Sequence, residues 1–151
     1  MEEGTRTFSQ ELAETGRVVY TTRGASMRPL LRQGKDVVVI EKPKEHWKKY
    51  DAVLFLRKNG QYVLHRILKI DGDRYWIVGD NCVSGETVQE SQILGVLASV
   101  KRGGRVIRPT DWHYRLYVRL WCAPYRLRFC LLRGKLFIFR CLRFVKRRVF
   151  G

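Results

Sequence analysis

Short β-type runs separated by turn residues fill residues 36–108, and they limit the possible folds more than any other feature. Asp36–Glu41 and Asp51–Arg57 are rich in β-branched and other apolar residues. Asn59-Gly60 follows the second run and precedes Gln61–Ile70, and this dipeptide is the strongest short signal for a hairpin. Further strands are predicted over Arg17–Thr22, Arg74–Val78, Ile93–Arg102 and Arg105–Arg108. The pattern predicts a mainly β fold.

Two segments around these strands carry other signals. Thr7-x-x-Gln10 is a capping box and predicts a short helix over Phe8–Glu14 that ends at Gly16. Gly79–Thr87 is rich in turn residues, so we expect a loop there.

The run Gln61–Ile70 alternates between two faces. Val63, His65 and Ile67 share one face, and Tyr62, Leu64, Arg66 and Leu68 share the other. Because both faces are largely apolar, this strand should be central in its sheet rather than at an edge.

The periodicity changes at Trp112. Leu116, Leu120, Ala123, Leu127 and Leu131 recur at helical spacing, and Arg119, Arg126, Arg133, Arg140 and Arg147 are seven residues apart. We expect Pro124 and Gly134 to break this region into two or three helices. The sequence therefore predicts two units, a β-rich domain over 1–110 and a basic amphipathic helical extension over 111–151.

Charge is concentrated in the extension. The formal net charge is +16, and +10 of it lies in 111–151, where nine Arg and two Lys face a single acid. An anionic membrane surface is the first partner this predicts, with Trp112, Tyr117 and Trp121 facing lipid and the arginines Arg119, Arg126, Arg133 and Arg140 facing phosphates. Self-association ranks second, and nucleic acid ranks last.

The termini and the cysteines bear on compartment and cofactors. The acidic, polar N-terminus does not resemble an export signal, and no apolar run is long enough for a membrane-spanning helix. Four cysteines form neither a CxxC pair nor a zinc-type cluster with histidine. We expect reduced thiols, no metal or other cofactor, and a cytoplasmic protein that is peripheral at the inner face of the membrane.

Three segments could carry chemistry: Gly24-Ala25-Ser26-Met27-Arg28-Pro29, Leu64-His65-Arg66-Ile67 and Gly79-Asp80-Asn81. In this order, with strands between them, they resemble the boxes of the signal peptidase and LexA-type self-cleaving repressor superfamily. The resemblance covers about residues 18–100. It implies a coiled antiparallel β-sheet or partial barrel of that type and a serine endopeptidase acting on a peptide or protein substrate, such as a signal or leader peptide.

The resemblance implies that Ser26 is the nucleophile and His65 the general base. A serine hydroxyl needs a base within hydrogen-bonding reach. Many members of the superfamily use Lys as this base, so the chain looks like the branch that uses His, found in the endoplasmic-reticulum type and some Gram-positive and archaeal relatives. A free imidazole has a pKa near 6.5, which suits a base at neutral pH.

The residue that orients His65 stays open between Asp80 and Glu86. Asp80 could instead pair with Arg66 and hold two strands together, with Gly79 and Asn81 as further structural support. The oxyanion would be bound by the backbone N–H of Ser26. Gly24 lacks the hydroxyl that many relatives have at that position, and Thr21 or Thr22 could replace it. The substrate and the oxyanion would lie against Gly24, Ala25, Met27 and Pro29.

Two further classes of function remain open. One is a catalytically silent peptide-binding or membrane-binding module of the same fold. The other is a basic nucleic-acid-binding protein.

Overall fold

A computed structural model describes residues 7–42 and 46–149, the segment 141–149 as helix backbone alone. Residues 1–6, which belong to the N-terminal segment compared with an export signal above, lie outside the described residues. So do the side chains of Cys141 and Arg147.

Apart from a strand at Gly85–Gln89, the strands and the first and last helices follow the order that the sequence pattern predicts. Helix α1 spans Phe8–Thr15. The strands are β1 (Arg17–Thr21), β2 (Val37–Glu41), β3 (Ala52–Leu56), β4 (Tyr62–Asp71), β5 (Arg74–Val78), β6 (Gly85–Gln89), β7 (Ile93–Arg102) and β8 (Arg105–Ile107), with a 3-10 turn at Glu90–Gln92. Helix α2 (Trp112–Tyr117), a π-helical segment (Val118–Cys122) and helix α3 (Tyr125–Val149) complete the described chain.

All pairings in the sheet are antiparallel. The order is β1-β2-β7-β3-β4-β5-β6, and β8 pairs with β7. The prediction of a mainly β fold with a helical C-terminal extension is therefore confirmed. The central position of β4 is also confirmed, since it lies between β3 and β5. The predicted capping box is present, with Thr7 and Gln10 hydrogen-bonded to each other's backbone amides.

Two local expectations are wrong. The segment Gly79–Thr87 is not a loop throughout, because strand β6 begins at Gly85. The strand has one buried side chain, Val88, so it lacks the apolar alternation that would have revealed it. Gly134 does not break the extension, since α3 runs through it, whereas a turn does precede α3 at Pro124. A glycine costs a helix only about 1 kcal/mol, which the neighbouring leucines and arginines can offset.

The strands bury apolar side chains on both faces. The first core lies against α1 and contains Leu12, Val18, Met27, Leu30, Leu31, Val38, Ile40, Ala52, Leu54, Leu64, Leu97, Val100 and Tyr114. The second contains Val53, Phe55, Ile67, Tyr75, Ile77, Val88 and Ile93. Successive residues of β3 enter the two cores in turn, as the period of two requires.

The first part of the extension packs on the sheet. Tyr114, Cys122, Arg128 and Leu132 are buried, and the ring of Trp76 meets those of Tyr125 and Phe129 edge-on. Within the described residues, no helix is long and apolar enough to cross a membrane.

Candidate active site

Ser26 lies on the loop between β1 and β2, and two buried anchors hold this loop in place. Met27 and Leu31 are buried in the first core. At the end of the loop the carboxylate of Asp36, itself fully buried, accepts hydrogen bonds from the backbone N–H of Arg32 and from the guanidinium of Arg102. These anchors leave Ser26 half-buried on a rigid turn.

The third box holds the serine loop from the other side. The backbone N–H of Asn81 donates to the carbonyl oxygen of Ser26 over 2.7 Å, and the Asn81 side chain donates to the carbonyl oxygen of Ala25 over 3.2 Å. Asn81 therefore holds the Ser26 turn in place through both its backbone and its side chain.

Gly79 marks the point where the three segments meet. A Cβ atom at this residue would lie 2.7 Å from the carbonyl oxygen of Ser26, 3.0 Å from Nε2 of His65 and 2.7 Å from Sγ of Cys82. No side chain fits there, so glycine is required by close approach and not by its φ angle. The backbone of the serine turn and Nε2 of His65 thus both approach Gly79, although no hydrogen bond joins the Ser26 hydroxyl to His65 among the described residues.

His65 lies on β4 opposite Val53, and its side chain is almost enclosed. The residue is 8% exposed. Burial penalises the imidazolium and lowers the pKa of His65 to about 4, a shift that Glu86 opposes and Arg57 reinforces. The sequence alone suggested a value near that of free imidazole. The imidazole is therefore neutral at physiological pH, the form a general base needs.

Glu86 is the acid that approaches the imidazole. Its Oε1 is 3.9 Å from Nδ1 of His65, which is too long for a hydrogen bond. The carboxylate is held instead by two hydrogen bonds from the guanidinium of Arg57. Consequently Nδ1 of His65 is buried without a hydrogen-bond partner among the described residues.

Asp80 is engaged elsewhere. Both of its carboxylate oxygens accept hydrogen bonds from Arg66, over 2.8 and 2.7 Å, and both side chains are fully buried. The hydroxyl of Tyr117 donates to the same carboxylate, and the indole N–H of Trp121 donates to the Asp80 carbonyl oxygen. The pairing of Asp80 with Arg66 that the sequence left open is therefore present. The expectation that Tyr117 and Trp121 face lipid is wrong, because both face this buried cluster.

A groove of about 760 Å³ opens beside Ser26 and His65. Gly24, Ala25 and Met27 line it with the serine, whereas Pro29 is exposed and is not among the lining residues. The apolar part of its wall comes from Phe8, Tyr20, Leu31, Tyr62, Val63 and Leu64. Tyr20 and Thr21 in its wall belong to β1, which lies at one end of the sheet, and an edge strand beside an apolar wall is a place where an extended peptide can bind.

Of the two threonines considered as replacements for a hydroxyl at Gly24, Thr22 is the one whose hydroxyl is buried without a partner among the described residues. It belongs to the wall of the groove. Its hydroxyl is buried and has no hydrogen-bond partner in the described part of the chain. A buried hydroxyl without a partner costs stability, so it marks a place where a ligand could supply the missing acceptor.

Several residues that shape the site could not be predicted from the sequence. The strand pattern predicts Arg57 only as the end of a strand, whereas in the structure its guanidinium donates hydrogen bonds to the carboxylate of Glu86. Tyr114, Tyr117 and Trp121 are spaced at i, i+3 and i+7 and so share one helical side, but Leu116 and Leu120 make a second apolar side that the sequence offers equally for packing.

Among the residues whose side chains are described, no three His, Cys, Asp or Glu side chains cluster in a way that could hold a metal ion. The chain matches no protein-family model, and comparison with curated proteins finds no match.

Proposed function

We propose that this chain is a serine endopeptidase that cleaves an extended peptide or protein segment, with Ser26 as nucleophile and His65 as general base. One observation carries the proposal: the serine turn and Nε2 of His65 meet at Gly79, beside a groove large enough for a peptide.

The geometry favours one assignment of roles to the two ring nitrogens. Nε2 of His65 faces the serine turn, and Nδ1 faces Glu86. Nδ1 would then carry the proton and Nε2 the lone pair, which is the tautomer a base needs. Glu86 would orient the ring and stabilise the imidazolium during the reaction, after a small movement that brings it within hydrogen-bonding distance.

The reaction would then have two stages, acylation of Ser26 and hydrolysis of the acyl-enzyme. Nε2 accepts the Ser26 hydroxyl proton as Oγ attacks the scissile carbonyl carbon, and the negative charge develops on the carbonyl oxygen. The imidazolium gives its proton to the leaving amine as the C–N bond breaks. A water molecule attacks the acyl-enzyme, His65 takes its proton, and Ser26 recovers a proton as the new carboxyl end leaves.

The proposal is tested by labelling the purified chain with a fluorophosphonate, which reacts with an activated serine. The unmodified chain and a Ser84→Ala control, with a serine replaced in the loop before β6, should label. Ser26→Ala and His65→Ala should not. Labelling of Ser26→Ala, or none in the folded unmodified chain, would contradict an activated Ser26.

A second candidate is a catalytically silent peptide-binding module, and the Arg57 contacts favour it. Arg57 holds Glu86 away from His65, and Gly24 supplies no oxyanion hydroxyl. Peptide binding without labelling, and without a labelling gain in Arg57→Gln, would select this alternative.

A further inference from the structure

The outward side of the C-terminal helices is apolar, although it does not contact the sheet. Tyr114, Cys122, Arg128 and Leu132 form the buried side. Large apolar side chains on the other sides remain exposed, namely Trp112, Leu116, Leu120, Leu127, Leu131, Phe137 and Ile138, each between 45% and 75%. We call these seven residues the outer apolar face. Such a set exceeds the scattered apolar residues that soluble surfaces normally carry.

Basic residues border this face. At 100° per residue, Arg126, Arg133 and Arg140 follow one line along α3, on the flank between the buried side and the outer apolar face. All three are exposed. No acidic residue occurs after Asp111. An apolar strip with arginines along its flank is the pattern of a helix that lies in the plane of a bilayer surface, where guanidinium groups reach phosphates and apolar side chains enter the acyl region.

We propose that the outer apolar face docks on an anionic phospholipid bilayer, with α2 and α3 in the interfacial plane. Charge complementarity favours this occupant over a second copy of the chain, because two extensions of +10 would repel each other. It also favours lipid over nucleic acid, since phosphate contacts alone would leave seven large apolar side chains in water.

The test uses the full-length chain and vesicles of phosphatidylcholine with or without phosphatidylglycerol. Replacing Arg126, Arg133 and Arg140 together by Gln should weaken binding to anionic vesicles about a hundredfold, at about fivefold per arginine. The matched replacement by Lys should leave binding nearly unchanged. Replacing Leu127, Phe137 and Ile138 by Ser should weaken binding more than about tenfold. Control substitutions Val19→Thr, Ile70→Thr and Val106→Thr, at exposed apolar positions on the strands, should have little effect.

The depth to which individual tryptophan side chains enter the bilayer can be measured by fluorescence quenching. Brominated lipid should quench Trp112, which is 75% exposed, and Trp112→Phe should remove most of that quenching. Trp121, hydrogen-bonded to Asp80, should be protected. These readouts do not need catalysis, so Ser26→Ala should bind vesicles normally whether or not the chain is a peptidase.

Three results would overturn the proposal. One is the absence of binding to anionic vesicles by the folded chain. Another is vesicle binding that the Ser substitutions on the outer apolar face leave unchanged. The third is a concentration-dependent oligomer, or a nucleic-acid complex, that covers Trp112 and prevents vesicle binding.

Discussion

The ion pair between Arg57 and Glu86 should control the pKa of His65, and substitutions of its two members should act in opposite directions. Burial lowers the pKa of His65 to about 4, Glu86 raises it and Arg57 lowers it. Glu86→Gln removes the favourable charge and should lower the pKa further. Arg57→Gln removes a like charge and frees the carboxylate to reach Nδ1, so it should raise the pKa.

The expected size follows from the 3.9 Å separation of Glu86 Oε1 and His65 Nδ1. Two unit charges at about 4 Å interact by about 4 kcal/mol at an effective dielectric constant of about 20. The side chains of Arg57 and Glu86 are about one-third exposed and neutralise each other. Solvent and the partner charge therefore strongly reduce the interaction energy between Glu86 and His65. We expect a shift of about one unit in each direction, larger for Arg57→Gln if the hydrogen bond forms.

The same pKa fixes a pH dependence of stability. The unfolded chain takes up the proton at pH 6.5, whereas the folded chain resists it down to about 4. Between these values the unfolded state binds more protons, so the free energy of unfolding falls as pH is lowered. The loss attributable to His65 should reach about 3 kcal/mol near pH 4 and should be absent above pH 6.5. His65→Gln should lack this part of the acid destabilisation.

The imidazole Cε1–H resonance of His65, assigned by its loss in His65→Gln, gives the pKa directly in NMR titrations. A spectrum of the whole chain at each pH checks that it remains folded. Fluorophosphonate labelling of the unmodified chain should show its acid limb near pH 4 and not near 6.5. A titration midpoint between 6 and 7 that neither variant moves would refute both the enclosed imidazole and its coupling to the ion pair.

Three other substitutions separate activity from stability. Thr22→Val should slow labelling by about a hundredfold if the Thr22 hydroxyl binds the oxyanion, and an unchanged labelling rate would exclude that role. The urea midpoint should stay unchanged or rise, because the substitution removes a buried hydroxyl that has no hydrogen-bond partner among the described residues. Asp80→Asn should cost about 3–5 kcal/mol in urea unfolding, since it leaves the buried Arg66 without its charge partner, and a loss below 1 kcal/mol would be inconsistent with that pair. Gly79→Ala should displace the Ser26 carbonyl or the imidazole and reduce labelling about a hundredfold, whereas normal labelling would mean that the contact is not tight.

Much of the fold could be predicted because its signals are local. The capping box at Thr7 fixes the start of α1, and Asn59-Gly60 fixes the hairpin between β3 and β4. Strand β6 could not be predicted in the same way. Strand β6 is stabilised by its pairing with β5, and the polar sequence of Gly85–Gln89 does not predict that pairing.

The position of Glu86 relative to His65 depends on strand β6, which the sequence pattern does not predict. Pairing of β6 with β5 places Glu86 opposite Ile77, and this register brings the carboxylate to the Nδ1 side of His65. A chain read as a loop from Gly79 to Thr87 offers no such placement. The orientation of Tyr117 was mistaken for a related reason: a helix with apolar residues on two sides has no single preferred face, so periodicity cannot tell which side meets the sheet.

The third box links the candidate site to the extension. Asn81 holds the serine turn, while the next residue back, Asp80, receives hydrogen bonds from Tyr117 and Trp121 and lies 3.8 Å from Arg128. The buried charge of Asp80 is tolerated because Arg66 pairs with it and the Tyr117 hydroxyl donates to the same carboxylate. The helices are therefore part of the support for the Ser26 turn, in addition to any surface they contact. A chain whose helices lie on a bilayer would hold its peptide groove at a fixed place beside that bilayer, which suits a substrate segment that emerges from the membrane surface.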